Sequence, residues 1–159
     1  MVLDKLAIAT ELRDLNDRYA ACLDGMELED WAAMFVEDGF YQIIARENYD
    51  RGLTHATVWC KGAAMLRDRV LAIREALVFE DRSLRHMVSA VRVNGVEGDV
   101  ISAQANFYLV ESMIDAKPEM VLLGRYVDRV VRTSEGLKFL ERTCVFDNHW
   151  LPRALIIPV

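Results

Sequence analysis

From Val100 to Trp150 the apolar positions recur at every second residue. Within Val100 to Ile114, the residues Ile101, Ala103, Ala105, Phe107, Leu109 and Met113 fall on one face, and Ser102, Gln104, Asn106 and Ser112 on the other. That period is the pattern of a half-buried strand. Two stretches of similar length follow, from about Met120 to Arg132 and from about Leu137 to Trp150. Asp115-Ala116-Lys117-Pro118 and Thr133-Ser134-Glu135-Gly136 separate them as turns. Strands this long exceed the usual five or six residues or so. Their right-handed twist accumulates with length. The three predict a strongly curved antiparallel sheet with a concave face that needs covering.

Upstream the period changes. Ile8, Leu12, Leu15, Tyr19, Cys22 and Leu23 stand at helical spacing and predict a helix over about residues 4 to 24, stopped at Gly25. A short helix from about Leu28 to Met34, a turn at Glu37-Asp38-Gly39 and a strand over Phe40 to Ala45 come next. Arg46 to Thr57 is polar and irregular, the mark of a long loop, and Val58-Trp59 forms a short strand. The stripe Leu66, Val70, Ile73 and Leu77 predicts a second long helix from about Gly62 to Phe79. Ser83 to Val93 is a further strand, ended by an Asn94-Gly95 turn. An apolar tail, Leu155 to Val159, closes the chain. Helices early and antiparallel strands late define the α+β class. The expected architecture is one domain over 1–159, cone-like, its curved antiparallel or mixed sheet closed by the N-terminal helices.

Composition narrows the function more than the fold. The 159 residues are 53% hydrophobic, enough for a sizeable core. The formal net charge is −6, with both signs mixed along the chain, which argues against nucleic acid or an anionic membrane as partner. No apolar run has the length of a membrane span, and the N-terminus enters an amphipathic pattern directly rather than through a signal peptide. The cytoplasm is the expected location. Cys22, Cys60 and Cys144 are odd in number and far apart, so they are expected as small buried apolar groups rather than disulfide or zinc ligands. His55, His86 and His149 are the only histidines. The paired cysteines and histidines of a Rieske cluster are missing, as are G-x-G-x-x-G, the P-loop and G-x-S-x-G. No metal or cofactor is expected in this chain.

The candidate chemistry is therefore sparse. Asp24 ends the first helix, and His86 would be its partner in an acid–base pair, with Tyr19 and Tyr41 placed to polarise a carbonyl. The plainer reading gives Asp24 a capping role and His86 a hydrogen bond in the core or an interface. Arg85 would bind a carboxylate or a partner chain. Arg46, Tyr49 and Arg51 lie in the long charged loop, and such loops carry interfaces. On the second long strand, alternation groups Arg125 and Arg129 with Val121, Leu123, Val127 and Val131, and puts Asp128 and Arg132 opposite. Arginines on such a face are a solvated surface in a monomer and an assembly surface in an oligomer. Trp59, Met113, Met120 and Trp150 are expected to fill core or interface.

The order of elements resembles the nuclear transport factor 2-like cone fold. Asp24 to Trp31, followed by Phe35 to Tyr41, is similar to that superfamily's helix, short helix and strand opening. Asp24 then resembles the aspartate that its acid–base enzymes place at the cone mouth. A narrower resemblance rests on Arg46-Glu47-Asn48-Tyr49-Asp50-Arg51-Gly52, Val58-Trp59-Cys60, Met65 to Val70, Arg85-His86 and the apolar tail. This set resembles the small (β) subunit of bacterial aromatic-ring-hydroxylating dioxygenases, nearest to systems acting on salicylate, anthranilate or terephthalate. The resemblance implies a non-catalytic assembly subunit. Its partner would be a catalytic large (α) subunit carrying a Rieske iron–sulfur cluster and a mononuclear iron, in a homotrimer or α3β3 assembly. It also implies that Arg46, Tyr49, Arg51, Arg85, Arg125 and Arg129 serve interfaces. The alternative is a stand-alone cone-fold dehydratase or isomerase using Asp24, His86 and Tyr41. A third reading is a non-catalytic small-molecule binder using the same cavity.

Overall fold

The computed structural model describes residues 2–76 and 81–159. Helix α1 spans Val2–Asp24 and α2 spans Leu28–Ala33. The predicted stripe of α1 is buried at Leu12, Leu15, Tyr19 and Leu23, while Cys22 is half-buried. The left-handed residue that ends α1 is Met26 (φ 57°), one place beyond the expected Gly25. Met26 N–H bonds the Leu23 carbonyl at 3.1 Å, and Glu27 N–H bonds the Cys22 carbonyl at 2.8 Å. These bonds satisfy the last carbonyls and turn the chain sharply. Asp24 is left in the final helical turn, where its side chain reaches a neighbouring strand.

Strand β1 is Phe35–Ala45. The expected turn at Glu37-Asp38-Gly39 is instead a bulge inside it, where the register against the neighbouring strand jumps from Phe35 to Phe40. Its polar residues read as a turn because the bulge lifts Glu37 and Asp38 into solvent. A Cβ on Gly39 would lie 2.8 Å from the Val36 carbonyl oxygen, so this bend admits only glycine. The expected loop contains a short helix α3, Arg46–Asp50, followed by β2, Val58–Lys61. Helix α4 is Ala63–Leu71, and a wider π turn continues it over Ala72–Ala76. The remainder of the predicted helix, Leu77 to Phe79, lies outside the described residues.

Four long strands complete the fold: β3 (Arg82–Glu97), β4 (Val100–Met113), β5 (Glu119–Thr133) and β6 (Gly136–Phe146). The β3–β4 turn is Gly98-Asp99, where Gly98 adopts φ 59°. Asn94-Gly95, the expected turn, sits within β3 at a register irregularity. β6 stops at Phe146, short of the expected Trp150. The six strands form one sheet in the order β2-β1-β6-β5-β4-β3. The β1–β6 pair is parallel and the others are antiparallel. The sheet is mixed and curved but not closed on itself, with α1 packed against β3 and β6 and α4 against β1 and β2.

The inward rows carry the core. Ile101, Ala103, Ala105, Phe107 and Leu109 of β4 are buried as the alternation predicts, together with Leu122, Tyr126 and Val130 of β5. Of the residues expected in core or interface, Trp59, Met120 and Trp150 are exposed in this chain and fill no core. The tail is buried at Ile157 and Val159. It adopts no strand and enters the concave side of the sheet.

Candidate functional site

The concave side holds three polar groups of residues. In the first, Asp24 leaves the last turn of α1 and meets β3. Its carboxylate accepts the His86 backbone N–H at 3.0 and 3.2 Å and contacts His86 Nδ1 at 2.6 Å. The His86 ring is fully buried, and its Nε2 has no hydrogen-bond partner among the described residues. Arg85, pointing outward, stands 3.8 Å from the other carboxylate oxygen. The structure thus unites Asp24 and His86, and the contact both caps a strand backbone and holds an imidazole. Chemically it is a carboxylate-oriented histidine with one ring nitrogen unengaged.

The second group was invisible to alternation. Arg142 of β6 is completely buried and forms two hydrogen bonds to Asp128 of β5, at 2.9 and 2.7 Å, and one to Asn16 of α1 at 2.6 Å. Its guanidinium lies 3.9 Å from the Tyr126 ring centroid, 4.1 Å from Phe139 and 4.2 Å from Tyr19. Burial opposes the charge on Arg142, but Asp128 outweighs it and holds the guanidinium protonated. Burial likewise lifts the Asp128 carboxyl above its ordinary range, against the pull of Arg142. The paired hydrogen bonds and aromatic faces make this a structural clamp joining α1, β5 and β6.

The third group binds the tail. Tyr19 and Tyr41 donate their hydroxyls to the Val159 oxygen at 2.6 and 3.1 Å, and Cys144 Sγ lies 3.2 Å from the same atom. Val159 N–H in turn bonds the Tyr41 hydroxyl at 2.9 Å. The two tyrosines expected to polarise a substrate carbonyl are therefore occupied by Val159 of the apolar tail. At the tail's entry Glu111 is buried, receives Arg82 Nη1 at 2.9 Å and contacts Arg153. A slot of about 30 Å³, room for roughly one water, lies between the tail and Leu84 and Leu109.

The interface candidates lie on the outer face and fall into separate places. Arg46, Tyr49 and Arg125 come together. Arg125 is 3.6 Å from Asp50 and 5.7 Å from the Tyr49 ring centroid, and Arg46 is 3.4 Å from Asp147. Arg51, just past the end of α3, pairs back to Glu47 at 3.0 Å, and Arg129 pairs with Glu141 of the next strand at 2.8 Å. Beside Arg125 the outward residues Met87, Tyr108 and Leu123 are cross-strand neighbours on β3, β4 and β5, and all three are exposed with Met120. Sequence reading missed this stripe because each strand supplies only one of its members. Among the described residues, no three His, Cys, Asp or Glu side chains converge as a metal site, and no helix is long and apolar enough to cross a membrane.

Comparison with known proteins is consistent along nearly the whole chain. Residues 4–143 match the SnoaL-like domain family. The chain is 34% identical over 149 residues to the anthranilate 1,2-dioxygenase small subunit of Burkholderia cepacia, covering 94% of this chain and 92% of that protein. It is 27% identical over 149 residues to terephthalate 1,2-dioxygenase, terminal oxygenase component subunit beta 2, of a Comamonas species, covering 94% and 97%. A solved structure from Novosphingobium aromaticivorans, assigned as the beta subunit of an aromatic-ring-hydroxylating dioxygenase, superposes with a TM-score of 0.86 at 35% identity over 96% of each chain.

Proposed function

Because this chain belongs to the SnoaL-like family, among the small subunits of aromatic-ring dioxygenases, we propose that it builds and stabilises a Rieske-type ring-hydroxylating dioxygenase acting on a benzoate-type acid. The observation that carries this reading is the occupied cone. Its tyrosines hold the tail, its buried charges hold one another, and the exposed apolar stripe lies on the opposite face of the sheet. A protein that spends its interior on its own structure and keeps Met87, Tyr108 and Leu123 exposed beside Arg125 is suited to assembly. The iron–sulfur cluster and mononuclear iron belong, in this reading, to the large subunit. Three small chains with three large ones make the complete enzyme, in the cytoplasm.

The test is co-expression with the large subunit encoded beside it. The expected result is co-elution as one iron-containing hetero-oligomer, with Arg46, Tyr49, Arg51, Arg85, Arg125 and Arg129 among the residues protected from solvent. A small chain that stays monomeric beside a folded, iron-loaded large chain would overturn the proposal. The 2.6 Å Asp24–His86 contact favours a second reading, a stand-alone acid–base enzyme of the dehydratase or isomerase type. Turnover by the isolated chain that Asp24→Asn abolishes would establish it instead.

A further inference from the structure

Surface ion pairs such as Arg74–Glu29 and Arg132–Glu11, both at 2.7 Å, and Arg129–Glu141 at 2.8 Å are closed. At α3 two arginines stand open. Arg46 is 3.4 Å from Asp147 and 3.7 Å from Asp50, and Arg125 is 3.6 Å from that same Asp50. A guanidinium bonds a carboxylate at about 2.7–2.9 Å, so these contacts balance charge without using the donors. Arg125 Nε and Asp147 Oδ1 are shielded from water and lack a hydrogen-bond partner among the described residues. Unfilled bonding capacity of this kind is uncommon in folded chains.

The two arginines share one groove on the outer face, between α3 and the outward rows of β4 and β5. Arg46, Arg125 and Asp147 line it together with Asn106, Tyr108 and Leu123. Its frame is held in place. Leu123 has both backbone polar groups bonded, its N–H to Asn148 Oδ1 at 3.0 Å and its carbonyl to the Asp147 N–H at 2.8 Å. The Arg125 guanidinium rests near the Tyr49 ring, 5.7 Å from its centroid. A frame fixed before contact loses little freedom on binding. The lining also sets the chemistry of an occupant. A basic segment would meet two guanidiniums of its own sign. A wholly apolar segment would bury their donors without partners, which is costly. A carboxylate flanked by apolar side chains suits both parts, since it takes the donors while its neighbours cover Tyr108 and Leu123.

We propose that this groove docks an acidic, apolar-flanked segment of the large subunit, one Asp or Glu of which takes Arg46 and Arg125 in place of Asp50. Asp50 is the group that gives way, because its side chain is 54% exposed and serves both arginines at distances too long for a hydrogen bond. The inference rests on the assembly reading and deepens it by naming the chemistry of the partner. It also ranks the outer arginines. Arg51 and Arg129 are already closed on Glu47 and Glu141, so Arg46 and Arg125 anchor the contact.

The experiment is a competition. A limiting amount of large subunit is co-expressed with equal amounts of native small chain and one variant, and intact mass of the purified complex gives the ratio incorporated. Arg46→Ala combined with Arg125→Ala is expected to be excluded at least about tenfold. Asp50→Asn, which removes the internal competitor, is expected to be enriched by about threefold. Arg132→Ala, which breaks a closed pair away from the groove, should be incorporated within about twofold of native. Equal incorporation of the double variant overturns this inference and leaves the assembly reading standing. Failure of the native chain itself to form a complex removes the assembly reading and this inference with it. Exclusion of Asp50→Asn alongside the double variant would mean that the three groups only hold α3 in place, and the proposal falls. It falls too if the double variant turns an oligomer of the small chain alone into monomers, since the occupant is then a second copy.

Discussion

Asp24, half-buried, and Arg142, wholly buried, show how differently two interior-facing charges declare themselves. Asp24 was legible because it ends a strong helical stripe ahead of a chain reversal, and its pairing with His86 followed as a chemical expectation. Arg142 was not, because strand parity misplaces it. Leu137 and Phe139 face inward, so strict alternation puts Glu141 inside and Arg142 in solvent. The register against β5 slips between Glu141 and Phe139, leaving Leu140 as the extra residue, and that slip exchanges the two. The consequence is measurable. Arg142→Met leaves Asp128 ionised or protonated without its partner in a dry site and frees the Asn16 carboxamide oxygen. We expect a loss of about 3–5 kcal/mol in urea unfolding. The double change Arg142→Met with Asp128→Leu removes both charges and should recover at least half of that loss. If the double variant is as unstable as the single one, the cation over the three rings, rather than the stranded carboxylate, sets the cost.

At the scale of elements, strand and helix cores were read correctly, and the errors gathered at bulges and turns. Glu37-Asp38-Gly39 and Asn94-Gly95 have turn chemistry, yet both lie in strands, because long coiled strands need bulges and use the same residue types. Gly124 shows how tightly the β5–β6 pair is drawn together. A Cβ there would come 1.9 Å from the Val145 carbonyl oxygen and 2.8 Å from the Phe146 Cα, both backbone atoms that cannot step aside. Gly124→Ala should destabilise by at least about 3 kcal/mol, whereas Gly95→Ala, with nothing within 4 Å, should stay within about 0.5 kcal/mol. The helical corner has its own signature in pH. Arg74 of the π turn bonds both Glu29 oxygens, at 3.1 and 2.7 Å, and the Met26 carbonyl at 2.6 Å, tying that turn to the α1–α2 corner. This pairing, helped by the Glu29 backbone, holds the Glu29 carboxyl at about 2, against an ordinary 4.5. A carboxyl lowered by folding stabilises the fold above its ordinary value and loses that effect as pH falls toward its folded value. The melting-temperature gap between the native chain and Glu29→Gln should therefore be constant above pH 5 or so and shrink to nothing near pH 2. The pair is exposed, so the gap is small and salt shortens it further.

At the scale of the molecule, one face of the sheet carries the buried core and the other the exposed apolar stripe, and this arrangement was only half visible beforehand. Alternation located the outer arginines, but not the way Met87, Tyr108 and Leu123 line up, since that depends on register across three strands rather than on pattern within one. Register also supplies the sharpest test of the division. Leu122 and Leu123 are chain neighbours on β5. Leu122 is wholly buried against the cone interior, while Leu123 is 38% exposed on the outer face beside Arg125. Leu122→Asp should leave the chain unfolded, because it buries an unpaired carboxylate. Leu123→Asp should leave the isolated chain within about 0.5 kcal/mol of native stability, because water already reaches that position. Under the assembly proposal the same carboxylate is buried against the large subunit, so the Leu123→Asp chain should no longer co-elute with it. Analytical ultracentrifugation of the two variants, each mixed with the large chain, separates loss of fold from loss of docking. Undiminished assembly by a folded Leu123→Asp chain would move the interface off this face of the sheet.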